Sequence, residues 1–163
     1  MKNTILETNL DGLDILLRYP KSGDAKSMCD YINILSKEKT YITWQGEKLK
    51  LKDEEKYLND QLERIKNKET VQLLIFVNNK LSGISSIDLG KRIQSHIGNF
   101  GISIAKEFRG KGLGKLLMKN VLDQATTNIR DLKIITLEVF AENKRAMSIY
   151  ENFGFKKYGK LPD

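Results

Sequence analysis

Hydrophobic and polar positions alternate along this chain with two different periods, which predicts strands in some segments and helices in others. Near the start, Ile5–Leu10 and Leu13–Tyr19 have the pattern of strands. The Asp11-Gly12 pair between them is a strong signal for a tight hairpin turn. We therefore expect these two strands to pair with each other in an antiparallel hairpin.

A second hairpin is predicted in the middle of the chain. Val71–Val77 is an almost continuous apolar run, as in a strand that is covered on both faces. Asn78-Asn79 tolerates the positive φ of a tight turn, and Leu81–Leu89 is expected to return as the partner strand. A third strand is expected from about Ile93 to Ile104, where glycines interrupt the alternation and indicate a bulge or a close backbone approach.

Helical periodicity occurs in four segments. A helix capped by Ser22 or Asp24 follows Pro20, and a second helix opens at the acids Asp53–Glu55. A third helix follows a glycine-rich turn, and Asn143–Asn152 forms the last. The apolar faces of the first three helices are Ala25, Met28, Cys29, Ile32 and Leu35, then Leu58, Leu62 and Ile65, then Leu113, Leu116, Leu117, Val121 and Ala125.

The last part of the chain adds two strands to this series. Lys133–Phe140 reads as a strand, Gly154 is expected to close the last helix at its C′ position, and Phe155 begins a further strand. Strands interspersed with helices predict an α/β or α+β domain around one sheet. A length of 163 residues fits a single domain, residues 1–163, with a buried core.

The composition is that of an ordinary globular protein, with 40% hydrophobic and 30% charged residues, which excludes wholesale disorder. No apolar run approaches the roughly 18 residues of a membrane span, and Met1–Leu10 lacks the apolar core of a secretory signal. We therefore expect no membrane association. The single cysteine, Cys29, cannot form an internal disulfide, which favours a cytoplasmic location and a small buried side chain.

A net charge of +7 raises the question of a nucleic-acid partner. The lysines are scattered among acidic residues, and no basic strand rich in aromatics or recognition-helix pattern is present, so we expect no nucleic acid to bind. One local excess of basic residues surrounds a glycine turn and consists of Lys106, Arg109, Lys111, Lys115 and Lys119. Glu107 is the single acidic residue among them. Such a focused positive field suits a small polyanion.

The glycine turn lies in FRGKGLGKLL, Phe108–Leu117. It does not match a P-loop, because it is one residue short and has Leu116 in place of the magnesium-binding hydroxyl. The glycines read G-x-G-x-G, so the dinucleotide fingerprint G-x-G-x-x-G also fails. A turn with only a structural role remains an alternative. The six residues from Arg109 to Gly114 satisfy R/Q-x-x-G-x-G/A, in which successive amides at a helix start point at one anion.

A second motif follows in NKRAMSIYENFGF, Asn143–Phe155, with the arrangement N-x-x-A-x-x-x-Y-x-x-x-G-F. Together with the glycine turn and the intervening LEVF, it resembles the GNAT superfamily of acyl-CoA-dependent N-acyltransferases over roughly residues 13–161. The resemblance implies an α/β (α+β) GNAT fold. Such a fold has a single mixed, largely antiparallel sheet, with a central splayed parallel pair of strands and helices on both faces.

The resemblance also implies acetyl-CoA as co-substrate and no metal. The pantetheine arm would lie between the strands that end at Ile104 and Phe140, paired with backbone groups of Ile102 and Ile104. Asn143 matches the family's asparagine that helps to fix the cofactor, and a plain N-cap role is equally compatible. The pyrophosphate would be held by the amides of Arg109, Gly110, Lys111, Gly112, Leu113, Gly114 and Lys115.

Catalysis in the family is implied to proceed by direct attack of an amine on the thioester. Tyr150 matches the tyrosine that protonates the departing thiolate, although its position on an apolar helix face also fits a core role. The stretch HIGNFGISI has no carboxylate where many relatives place a glutamate base. His96 is the candidate base here; a structural or surface role for His96, Glu38 on the acceptor side, and no protein base at all remain open.

The expected function is transfer of acetyl to a primary amine of a small molecule, amino acid or peptide terminus. Tyr41 and Trp44 either line the acceptor pocket or are ordinary packing residues. The alternative is a regulatory or sensor module that binds CoA without turnover. Only Lys156–Asp163 follow Phe155, so the family's last strand is expected to be missing or truncated. The open sheet edge would favour a homodimer.

Overall fold

A computed structural model of the chain describes residues 3–162 and contains six strands and four helices. The strands are β1 (Thr4–Leu10), β2 (Leu13–Arg18), β3 (Thr70–Val77), β4 (Lys80–Leu89), β5 (Ile97–Ile104) and β6 (Ile134–Thr136). The helices are α1 (Ala25–Ser36), α2 (Leu51–Lys66), α3 (Leu113–Asn128) and α4 (Lys144–Asn152).

All six strands form one sheet in the order β1-β2-β3-β4-β5-β6. Neighbouring strands are antiparallel except β5 and β6, which run parallel. In both predicted hairpins the two turn residues, Asp11-Gly12 and Asn78-Asn79, have positive φ, as a tight two-residue turn requires. The mixed, largely antiparallel sheet and both hairpins are therefore confirmed.

Helices cover both faces of the sheet, as predicted. Along β3, Leu73 and Ile75 belong to the core that contains the inward side of α3. Leu74 and Phe76 alternate with them and belong to the core beneath α1 and α2. Because successive side chains point to opposite faces, a strand between two helical layers buries both of its faces, which explains the almost continuous apolar run at Val71–Val77.

The parallel strands β5 and β6 separate from each other along their length. Their pairing begins at Ile97 with Ile134 and ends at Asn99 with Thr136, whereas β5 continues to Ile104. The predicted strand Lys133–Phe140 is therefore too long, because the residues after Thr136 have left the neighbour that would supply a hydrogen-bond ladder. The predicted splay between the two strands is confirmed.

The start of the third predicted strand and its bulge need correction. Ile93 lies in a short 3-10 turn and is 89% exposed, so β5 begins four residues later than predicted, at Ile97. The register between β4 and β5 is regular, and the irregularity lies between Ile75 and Phe76 of β3. Gly98 does mark a close approach, because a Cβ there would lie 2.6 Å from Cγ2 of Ile87.

The predicted caps of the first two helices also differ. Asp24 precedes α1, but its carboxylate accepts two 2.7 Å hydrogen bonds from Arg18 and one of 2.8 Å from the Lys21 amide instead of capping the helix. Burial alone would raise the pKa of Asp24; these hydrogen bonds outweigh it and lower the pKa. Helix α2 begins at Leu51, two residues before the predicted acids.

The end of the chain contains the largest departure from the prediction. Gly154 has a φ of +88° and follows the C-cap of α4, as predicted. Residues 155–162 form no strand, so the strand predicted from Phe155 is wrong. The Phe155 ring instead packs 6.1 Å from that of Phe100 and 6.2 Å from that of Tyr150, and the residues after it lie exposed without a neighbouring strand. The expected homodimer stays a prediction.

Candidate active site

The glycine turn connects β5 to α3 with a backbone that only glycine adopts easily. Gly110 and Gly112 both have a φ of +81°, and Gly112 is the left-handed N-cap residue of α3. L-residues with a Cβ are strained in this region, which explains why glycine occupies both positions. The turn therefore leads directly into the N-terminus of a long helix.

Six consecutive backbone amides at this turn, Gly110 to Lys115, donate to no acceptor within residues 3–162. The Arg109 amide is not among them, because it donates to the Lys106 carbonyl at 3.3 Å. The first helical hydrogen bond runs from the Leu116 amide to the Gly112 carbonyl at 3.1 Å. A helix start with this many available donors is an anion-binding geometry, in agreement with the predicted pyrophosphate site.

The positive field around the turn is smaller than the sequence predicts. The Arg109 guanidinium donates from Nε to the Ile104 carbonyl at 2.8 Å and from Nη1 to Glu38 at 2.7 Å. Arg109 therefore fixes the turn to β5 and to Glu38, the second residue after α1. Lys119 pairs with Asp123 at 3.0 Å. Of the five predicted basic residues, the three that form no ion pair in the described part of the chain are Lys106, Lys111 and Lys115.

Arg145 adds a basic group that the sequence reasoning missed. It lies in the first turn of α4, and a Cβ built on Gly110 would be 3.1 Å from its Nη2 atom. The guanidinium therefore reaches the glycine turn from the other side of the splay. The signal in the sequence is a basic residue two positions after Asn143, within the motif that forms α4.

Arg145→Gln is expected to weaken CoA binding by about two- to fivefold, because one exposed charge near a helix N-terminus contributes about 0.3–1 kcal/mol. Calorimetric titration with CoA at low and high salt measures the change, which should shrink as salt rises. Arg130→Gln, at an exposed arginine beyond the end of α3, is the matched control. Equal effects of the two substitutions would show that Arg145 acts only through the net charge.

The gap between β5 and β6 exposes backbone groups of Ile102 and Ile104. The Ala105 amide donates to Ser82 on the β4 side, and the His96 carbonyl accepts on the β6 side. Since alternate residues of a strand point their polar backbone groups to opposite neighbours, the groups of Ile102 and Ile104 face the side where β6 has ended. The Ile104 carbonyl is already bonded to Arg109, which leaves both amides and the Ile102 carbonyl for an extended ligand.

Tyr150 lies on the core side of α4, beside the same gap. Its ring meets that of Phe100 edge to face at a centroid distance of 5.9 Å, two residues before Ile102. Its hydroxyl has no hydrogen-bond partner within residues 3–162, and burial raises the pKa of Tyr150. The ring therefore packs in the core while the hydroxyl remains protonated and unpartnered, and its role as a proton donor stays a prediction.

Asn143 has the geometry of an N-cap. Its Oδ1 accepts the Ala146 amide at 3.2 Å at the start of α4. The capping role left open by the sequence is therefore present. The Nδ2 group donates to no acceptor in the described range, so a ligand-binding role for the same side chain stays a prediction.

His96 lies away from these groups. It precedes β5, and its carbonyl accepts hydrogen bonds from the amides of Lys133 and Ile134 at 2.9 and 3.2 Å. From His96 to Phe100 the strand rises about 13 Å, so the imidazole lies at the opposite end of β5 from the glycine turn. The structure does not bring His96 together with Tyr150 and the turn.

The candidate residues on the acceptor side lie in and before the loop between α1 and α2. The Glu38 side chain is 15% exposed and is held by Arg109, so its carboxylate joins α1 to the glycine turn. Tyr41 packs its ring 5.7 Å from that of Phe140, which places the loop beside the point where the chain leaves β6. Trp44 is half-buried in the same loop.

Two further properties of the described residues bear on the class of site. Among residues 3–162, no group of three or more histidine, cysteine or carboxylate side chains is arranged to hold a metal ion. In the same range, no helix combines the length and the apolar character needed to cross a membrane.

The sequence model of the acetyltransferase (GNAT) family matches residues 32–155, which is most of the chain. The chain belongs to the GNAT acetyltransferase family. A crystal structure of a GNAT family acetyltransferase from Streptococcus pneumoniae superposes with a TM-score of 0.81 at 30% identity, covering 89% of this chain and 86% of that one. The structure of yncA from Salmonella typhimurium, solved with its cofactor acetyl-CoA, has a TM-score of 0.73 at 14% identity over 86% and 79% of the two chains, and shows the shared fold.

The curated GNAT relatives match shorter segments. L-amino acid N-acetyltransferase AaaT from Escherichia coli is 28% identical over 89 residues, which are 54% of this chain and 54% of that protein. The chain thus spans about half the length of this relative. Spermidine N(1)-acetyltransferase from Vibrio cholerae is 42% identical over 62 residues, 38% of this chain and 35% of that protein. An N-acetyltransferase of the ribosomal protein bS18 alanine from Salmonella typhimurium is 34% identical over 36% of this chain and 38% of that protein.

Proposed function

We propose that this GNAT protein transfers acetyl from acetyl-CoA to a primary amine of a small molecule, amino acid or peptide terminus by direct attack. The observation that carries the proposal is the run of six available amides at the glycine turn, adjoining the splay between β5 and β6. The amides suit a diphosphate, and the extended backbone of β5 suits the amide-containing arm attached to it. Family relatives named for amino acids, polyamines and a ribosomal protein support an amine acceptor.

The bound thioester supplies an activated acetyl group, and the residues of the chain position it. Backbone groups of Ile102 and Ile104 would hold the pantetheine amides, and the amides from Gly110 to Lys115 would hold the diphosphate. The attacking nitrogen forms a bond to the acetyl carbon while the carbon–sulfur bond breaks. Tyr150 gives its hydroxyl proton to the departing sulfur, and the surplus proton on the nitrogen passes to solvent.

Water, rather than a side chain, is assigned to accept the protons that the acceptor nitrogen loses before and after its attack. His96 stands at the far end of β5, and the Glu38 carboxylate is occupied by Arg109. An acceptor amine with a pKa near 10.4 must lose a proton before it attacks, which costs roughly 4–5 kcal/mol near neutral pH. We therefore expect the rate at subsaturating acceptor to rise with pH as the neutral amine becomes more abundant.

A thiol-release assay with acetyl-CoA and a panel of amino acids, polyamines, aminoglycosides and peptide termini tests the proposal. At least one acceptor is expected to accelerate thiol release by more than tenfold over hydrolysis, with an acetylated amine as the product by mass spectrometry. A CoA-binding sensor module would instead bind acetyl-CoA tightly while no amine in the panel accelerated thiol release. That second outcome would remove the proposed activity and leave the anion-binding turn.

A further inference from the structure

A row of polar residues crosses the sheet on the face covered by α1 and α2. Gln72 of β3 lies directly opposite Ser86 of β4, and Ser86 lies directly opposite Gly101 of β5. Directly paired residues share a face of the sheet, so these three positions form one line. The two neighbouring rows of side chains on this face are not open in the same way. One contains the apolar residues Leu74 and Ile84 beneath the helices. In the other, Asp88 accepts hydrogen bonds from Gln61 and Arg64 of α2.

One end of this polar row is open and lies beside the cofactor gap. Gly101 is exposed, and a Cβ built there would meet no atom within 4 Å. Ile102, whose backbone faces the gap between β5 and β6, is the next residue along the strand. A molecule lying on Gly101 would therefore reach the reacting end of a ligand in the gap and could extend over Ser86 toward Gln72.

The other end of the row is buried and polar. Gln72 is 2% exposed, and its Nε2 donates to the Tyr57 hydroxyl of α2 at 3.0 Å. Its Oε1 atom is buried and has no hydrogen-bond partner among the described residues. Leaving such an acceptor without a donor is unfavourable, so an N–H group placed there would be favourable.

The helix that contacts Gln72 through Tyr57 also carries a buried carboxylate without a partner in the described part of the chain. Glu54 occupies the inward face of α2 one turn before Tyr57, is 5% exposed, and forms no hydrogen bond or ion pair through its side chain within residues 3–162. Burial raises the pKa of Glu54, since the charged form lacks a partner. A cation beside it would supply that partner. In a chain with a net charge of +7, an unpaired buried carboxylate marks a local preference for positive charge.

We propose that Gln72 and Glu54 receive a second nitrogen of the acceptor, so that the acceptor is a diamine or polyamine extended over Gly101 and Ser86. This inference rests on the proposed acetyl transfer and specifies its acceptor. The line from Gly101 to Gln72 covers two strand spacings, about 10 Å, which sets the separation between the reacting amine and the recognised one. An acceptor with a single amine would leave both groups unpartnered.

The test compares diamines with alkylamines of the same length, from butyl to octyl, by thiol release from acetyl-CoA. For at least one length the diamine is expected to have a kcat/KM at least tenfold higher than the alkylamine, as one hydrogen bond to a charged group provides. Gln72→Met and Glu54→Gln keep the side-chain length. Each is expected to lower this diamine preference by about tenfold, while the kcat/KM for the alkylamine stays within about twofold.

Matched controls lie close by. Gln94→Met and Glu55→Gln change an exposed glutamine and an exposed glutamate outside the row, and both should keep the diamine preference. Thermal unfolding shows whether each variant folds. If Gln72→Met fails to fold, the diamine preference of Glu54→Gln alone tests the inference. Turnover of alkylamines and diamines with equal kcat/KM would overturn the inference and leave the proposed function intact. Absence of thiol release with every amine would overturn the proposed function itself.

Discussion

Tyr150→Phe is expected to lower kcat by about 100- to 10,000-fold and to leave the Kd for acetyl-CoA within about twofold. The substitution removes only the hydroxyl, whereas the ring keeps its edge-to-face contact with Phe100 and its packing against Phe155. Protonation of the leaving sulfur then depends on solvent, so the loss falls on the chemical step. Steady-state kinetics with the best acceptor and calorimetric titration with acetyl-CoA separate the two quantities.

The control for this substitution is Tyr158→Phe, at a tyrosine that is 84% exposed after α4. It should change neither quantity. Unchanged turnover in Tyr150→Phe would show that the hydroxyl is no proton donor, and the tyrosine would then be a packing residue. An equal loss of acetyl-CoA affinity would assign it to binding instead of catalysis.

The pH dependence of kcat gives an independent measure of the same group. Burial raises the pKa of Tyr150 above its ordinary value of about 10, so the donor remains protonated at neutral and mildly alkaline pH. At saturating acceptor, kcat should therefore hold as pH rises and decline only above about 10. In Tyr150→Phe that decline should be absent. A decline centred well below pH 10 in the wild-type protein would contradict the assignment.

Local patterns in the sequence were sufficient for the parts of the fold that short segments determine. The two hairpins follow from Asp11-Gly12 and Asn78-Asn79, because the positive φ of a tight turn is set by the turn residues themselves. The buried strand β3 follows from a run that is apolar at every position except Gln72. The glycine turn was located correctly for the same reason, since positive φ at Gly110 and Gly112 is a property of single residues.

Other features depend on neighbours that no local pattern contains. The length of β6 is set by where β5 diverges, so the apolar run after Thr136 could not define its end. The Arg109 side chain looked like part of the anion site, but its partners are Glu38, 71 residues earlier in the chain, and the Ile104 carbonyl. The strand predicted from Phe155 is wrong because residues 155–162 have no neighbouring strand to pair with, and the Phe155 ring packs beside Phe100 instead.

The polar residues at inward positions of α2 were missing from the face that the sequence pattern predicted for this helix. The apolar face predicted for this helix contains Leu58 and Ile65, and the same face also carries Glu54 and Gln61. A polar residue at the spacing of a core position is a signal of a buried interaction, because burial without a partner is unfavourable. Gln72 of β3, which donates to the Tyr57 hydroxyl of the same helix, lies within a run that is otherwise uniformly apolar.

Gly112→Ala is expected to raise the Kd for CoA by roughly 10- to 100-fold, as the loss of one hydrogen bond to a charged group would produce. The added methyl projects from a residue with a φ of +81°, within the run of six available amides, and would hold the diphosphate away from them. The same backbone conformation costs an alanine about 1–2 kcal/mol of stability, which alone would lower the melting temperature.

Gly12→Ala separates these two effects, because Gly12 in the first hairpin has a φ of +83° and a Cβ there would also meet nothing within 4 Å. Both variants should lose a similar amount of stability, since they impose the same strained backbone on an alanine. Only Gly112→Ala should lose affinity for CoA, and its melting temperature should respond less to added CoA than that of Gly12→Ala. Equal CoA affinity in the two variants would mean that the diphosphate does not approach the turn at Gly112, and the anion site would have to lie elsewhere on the protein.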